Sequence, residues 1–128
     1  MKQVSGEDES NLEQESGAIL DLRLAVISAT IQKAKTIPEE TRTELLTLVE
    51  GLKSEVSILK KTHLEEALSI AGFADVSAHE ASRSRKNRHL AETALEGLQG
   101  SIRGLENSHP VLAGNVNRFA TILSSMGL

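Results

Sequence analysis

Cysteine, tryptophan and tyrosine are missing from this chain, and its aromatic residues are reduced to Phe73 and Phe119. The lack of cysteine removes disulfides, thiolate metal sites and cysteine nucleophiles together, and it fits a cytoplasmic setting. The shortage of aromatics leaves leucine, isoleucine, valine and alanine to build the core. Those side chains suit helix-on-helix packing, whereas sheets usually draw on aromatic and β-branched residues together. No apolar run approaches the roughly 18 residues of a membrane span, and the N-terminus does not have the basic-then-apolar order of a secretion signal, so no membrane anchor is expected. Positive charge is not in excess either. The formal charge is −4, and Lys2 against Glu7, Asp8, Glu9, Glu13 and Glu15 carries all of it. The remainder is neutral, so the whole-molecule field does not favour nucleic acid or an anionic membrane as a partner.

A length of 128 residues is about one domain. Residues 1–16 are polar and acidic, too poor in apolar side chains to offset the entropy of ordering. They are expected to form a flexible tail ahead of a single helical domain over 17–128, although Glu13, Gln14 and Glu15 also suit the first turns of a helix. Within the domain one spacing of apolar residues, 4, 3, 4 and 3, recurs four times, which is the heptad seam of a packed helix. It runs through Leu20, Leu24, Ile27, Ile31 and Ala34, then Leu45, Val49, Leu52, Val56 and Leu59. It returns in Ala91, Leu95, Leu98, Ile102 and Leu105, and again in Leu112, Val116, Phe119, Leu123 and Met126. Leu20, Leu22, Leu24 and Val26 also alternate as a strand would, but a lone strand has nothing to pair with.

Breaks come from proline and glycine. Pro38 fits the first turn of a second helix, with Glu39 and Glu40 facing the positive end of its dipole, and Thr36 offers a cap. The pattern weakens at Lys60 and Lys61 and returns as Leu64, Ala67, Leu68 and Ala71, so this helix is expected to reach Ala71. Gly72 would then end it and residues 73–77 turn the chain, with an uninterrupted helix as the alternative. Pro110 starts the last helix. The expected elements are helices over about 18–35, 38–71, 77–105 and 110–126. The fold class is all-α: helical hairpins or a four-helix bundle with coiled-coil-like packing, its seams led by Leu45, Val49, Leu52, Val56, Leu95, Leu98, Ile102, Phe119 and Leu123. Beside the third stripe lie Ala94, Gly97, Ser101 and Gly104, which either soften a helix end or thin one face for a close neighbour; the softer end is the simpler reading.

No catalytic signature is present: no G-x-S-x-G, H-E-x-x-H, P-loop or dinucleotide fingerprint. No enzyme, cofactor or dedicated metal centre is therefore expected. The strongest charge feature is Arg83, Arg85, Lys86 and Arg88, a candidate patch for an anion or an acidic partner such as the N-terminal segment. Without aromatics to stack on bases, it reads first as a solvated helix face. His63 with Glu66 and His89 with Glu92 repeat H-x-x-E. A turn near Val76 would set them level on antiparallel helices, where they could meet a divalent metal. Glu106, Ser108, His109 and Pro110 form a helix junction, with Ser108 or His109 at the cap and Glu106 near the free amides.

The stretch Leu105-Glu106-Asn107-Ser108-His109-Pro110-Val111-Leu112-Ala113, with the ending Ile122-Leu123-Ser124-Ser125-Met126-Gly127-Leu128, resembles the bacterial family known as domain of unknown function 4404. Pro38-Glu39-Glu40-Thr41-Arg42 with Leu45, Leu46 and Leu48 is similar to an earlier helix of that family. The resemblance covers about a third of the chain. It implies a small bacterial cytoplasmic helical protein and supplies no site residues. Together these features lead to a non-enzymatic helical protein that acts by self-association, most readily as a homo-oligomer, or as an adaptor for another protein. Nucleic-acid binding and metal binding are the alternatives.

Overall fold

The computed structural model describes the backbone of residues 6–126 and side chains from Gln14 onward. Over that range the chain is all-α, as expected, with five helices and no strand. They are α1 (Gly6–Lys33), α2 (Glu39–Leu59), α3 (Leu64–Ser82), α4 (Arg88–Ser101) and α5 (Pro110–Ser125). Every seam residue named from the sequence is buried except Met126, which is half-buried, from Leu45 and Val49 on α2 to Phe119 and Leu123 on α5. They join Leu20, Leu24, Ile27 and Ile31 of α1 in one core. The apolar spacing therefore finds its partners inside a single chain.

The first connection behaves as its residues dictate. Pro38 stands at the cap of α2 with Glu39 and Glu40 in the first turn. The Arg42 guanidinium reaches back to donate to the carbonyls of Ala34 (2.5 Å) and Ile37 (3.0 Å). It thus satisfies one carbonyl at the end of α1 and one in the connection, while the Ile37 side chain plugs into the core.

The middle of the chain corrects the expected boundaries. The second helix stops at Leu59, not Ala71, and the next runs unbroken through Gly72 and Ser77 to Ser82. The stripe Ala67, Ile70, Ala71, Ala74, Ala78 and Ala81 is buried along α3. A glycine on the flank of such a stripe costs only about 1 kcal/mol, less than the stripe's burial returns. The break falls at 60–63, where the His63 amide donates to the Leu59 carbonyl at 2.8 Å and Glu65 and Glu66 open α3. The expected third helix over 77–105 is likewise divided at residues 83–87, where Asn87 caps α4 by accepting from the Leu90 amide at 3.0 Å. At the N-terminus, residues 6–16 continue α1 as helix where a tail was expected; residues 1–5 of that expected tail lie outside the described residues.

The helices also disclose an internal duplication. Residues 46 apart correspond: Thr47-Leu48-Val49-Glu50-Gly51-Leu52 on α2 matches Thr93-Ala94-Leu95-Glu96-Gly97-Leu98 on α4. Leu59, Thr62, His63, Ala67, Phe73 and Ala74 match Leu105, Ser108, His109, Ala113, Phe119 and Ala120. Hairpin α2–α3 is thus the counterpart of hairpin α4–α5. α3 packs extensively on α4, and α2 on α5. Exchanging the two hairpins maps these contacts onto each other, the signature of an approximate two-fold relation. α1 breaks it by packing, among the described residues, on α2 and α3 alone. One end of the bundle carries both hairpin turns, and the other carries the α1–α2 and α3–α4 loops.

Candidate functional site

At the turn end the two hairpins present matching corners. His63 caps α3 and His109 caps α5 with nearly the same backbone angles, φ −138° and −136°, ψ 63° in both. Their amides donate to Leu59 (2.8 Å) and Leu105 (2.7 Å), and their carbonyls accept from Ala67 and Ala113, both at 3.0 Å. The imidazoles meet edge to face with ring centroids 6.0 Å apart. The Thr62 hydroxyl lies 2.8 Å from His63 Nδ1. Two imidazoles supply at most half the ligands of a tetrahedral zinc site. Among the described residues no group of three His, Asp or Glu side chains gathers to hold a metal. The alternative set of His63, Glu66, His89 and Glu92 is not brought together. Its premise, a turn near Val76, is replaced by helix, so His89 starts α4 at the loop end while His63 faces His109.

The junction chemistry is corrected in one further respect. Pro110 does open α5 and His109 does stand at its cap, but no side chain caps that helix. Glu106 turns the other way and accepts from the Gly104 amide at 2.8 Å. Gly104 sits at φ +86°, a left-handed conformation that favours glycine, and so Glu106 steadies the end of α4.

The basic run lies mainly on the α3–α4 loop and not along a helix face. Arg83 pairs with Glu80 at 2.6 Å and 3.1 Å, and Glu80 is buried. A buried carboxylate left alone would be costly, so Arg83 is bound to a structural task. Lys86 crosses to donate to the Met126 carbonyl at 2.7 Å, placing its charge at the negative end of α5. Arg85 and Arg88 stay exposed. The run thus ties the loop to two helix ends.

An open groove of about 680 Å³ lies between α1 and the α2–α3 turn, lined by Gln14, Gly17, Ala18, Asp21, Lys60, Lys61, Thr62 and Leu64. Its Lys60 and Asp21 pair with each other at 3.4 Å.

The remaining feature is apolar. Ile19, Leu22 and Val26 point outward from α1, Leu22 with 66% of its surface open. On the neighbouring α3, Phe73 and Val76 are exposed as well and border a shallow depression with Arg23, Ser69 and Gly72. Single exposed aliphatics are ordinary; a row of them along one helix is less so. The row was present in the sequence as the unexplained half of the alternation Leu20, Leu22, Leu24, Val26. The inward members are Leu20 and Leu24; the outward ones are Leu22 and Val26.

Compared with known protein families, curated proteins and solved structures, the chain matches none. No described helix is long and apolar enough to cross a membrane.

Proposed function

We propose that this protein is a non-enzymatic association module that works through contact between its own copies. The observation that carries this reading is the outward row Ile19, Leu22 and Val26 on α1. The core seams are satisfied within the chain, so they provide no drive to oligomerise; this row does, at about 25 cal/mol for each Å² it removes from water. Association at the row is an interaction of side chains alone, in keeping with the lack of catalytic motifs in the sequence. A cytoplasmic setting and a distant kinship with domain of unknown function 4404 belong to the same proposal. The kinship rests on the Leu105-to-Ala113 segment, which spans the α4–α5 junction, on the ending Ile122 to Leu128, and on Pro38 to Arg42 with Leu45, Leu46 and Leu48. The test is the mass in solution by light scattering at micromolar concentration. A strictly monomeric species would overturn the reading.

A further inference from the structure

On α1, one line of residues runs Glu15, Ile19, Leu22, Val26, Ala29, Lys33, at spacings of 4, 3, 4, 3 and 4. It lies on the side away from Leu20, Leu24, Ile27 and Ile31, which face the core. Five of its members are exposed and Ala29 is half-buried. A helix with this spacing has a second heptad seam, and the line is about 27 Å long at 1.5 Å per residue.

The line also has a property that singles out its partner: read backwards, its spacing is unchanged, and its ends carry opposite charges. We propose, building on the self-association reading above, that two copies pair through antiparallel α1 helices about a two-fold axis. In that register Glu15 meets the partner's Lys33, Ile19 meets the partner's Ala29, and Leu22 meets the partner's Val26. Each contact occurs twice, as an isologous interface requires. A parallel pairing would set like charges together at both ends, which is destabilising, so the end charges select the antiparallel arrangement.

The experiment is sedimentation equilibrium on charge-exchanged full-length chains. E15K and K33E each place two repulsive pairs in the homodimer and are expected to weaken it about tenfold, which is about 1.4 kcal/mol. The double variant E15K/K33E restores the dimer. An equimolar mixture of E15K and K33E forms a heterodimer tighter than either variant alone, because one chain then offers only lysine and the other only glutamate. L22D removes the dimer while circular dichroism holds the wild-type helix content, since Leu22 has no part in the core. If the wild-type chain associates but the charge variants and L22D leave its dissociation constant unchanged, the antiparallel α1 pairing is wrong and self-association stands on another surface. If the wild-type chain is a monomer at every concentration, both proposals fall.

Discussion

Hairpins α2–α3 and α4–α5 descend from the same pattern, yet one is covered and the other is bare. They agree where the turn and the core require it, in Leu59 and Leu105, His63 and His109, Ala67 and Ala113. They part company where their neighbours differ. Phe119 is fully buried, while its counterpart Phe73 is 40% exposed. Ala71, buried under α1, corresponds to the exposed Asn117. α2 continues to Leu59, whereas α4 ends at Ser101, the counterpart of Glu55; Gly100 and Gly104 replace Ser54 and Ile58 in the last turns. The comparison teaches that a helical hairpin keeps the residues that fix its turn and its mutual packing. Its outer face is free to become either a docking site for α1 or a polar surface.

The largest expected difference lies between the two phenylalanines. Phe119→Ala empties a fully buried position and should cost on the order of 3 kcal/mol or more in urea unfolding followed by circular dichroism. Phe73→Ala should cost about 1 kcal/mol, the share of its ring that is covered. Equal losses at both positions would mean that the hairpins are packed alike.

The paired glycines come next. A Cβ at Gly97 would stand 2.3 Å from the Phe73 ring, so α3 and α4 approach closely there and the small side chain thins that face for its neighbour. Gly97→Ala should therefore destabilise by about 1 kcal/mol despite the gain in helix propensity, because the ring must move. At Gly51 the same atom would meet the Asn115 amide at 2.9 Å, a half-exposed group able to swing aside. Gly51→Ala should thus be near neutral by the same assay.

The histidine corners should behave as twins. His63→Ala and His109→Ala are each expected to cost about 1 kcal/mol or less, and the double variant should cost less than their sum, since each single change already removes the ring contact. Strict additivity would show that the rings stand together without interacting. The smallest effect is a gain: Gly100→Ala has open space around its Cβ, and alanine in place of a glycine in the last turn of α4 should raise stability by less than about 1 kcal/mol in thermal melts.

Much of this fold was legible in residue spacing. The four stripes led by leucine, isoleucine and valine became buried faces, with only Met126 at the end of the last one half-buried. The α2–α3 turn was misplaced because Gly72 looks like punctuation, while the actual turn at 60–63 uses residues that make good helices elsewhere. Its signal was the recurrence of Leu-x-x-Thr-His as Leu-x-x-Ser-His 46 residues later, a comparison between distant segments that no local window includes. The roles of Arg83 and Lys86 were hidden for another reason. A basic run declares its charge but not its partners, and the partners here are a buried carboxylate and the far end of α5. The outward row on α1 was visible only as a hint of strand, because a helix with two apolar faces mixes its period of 3.6 with an apparent alternation.

Self-association through that row is tested most directly by sedimentation of the wild-type chain and L22D across a dilution series. The wild-type chain should show a mass twice its own 13.8 kDa that falls towards the monomer on dilution, while L22D sediments as a folded monomer throughout. A wild-type chain that keeps a mass of 13.8 kDa at all concentrations would contradict it.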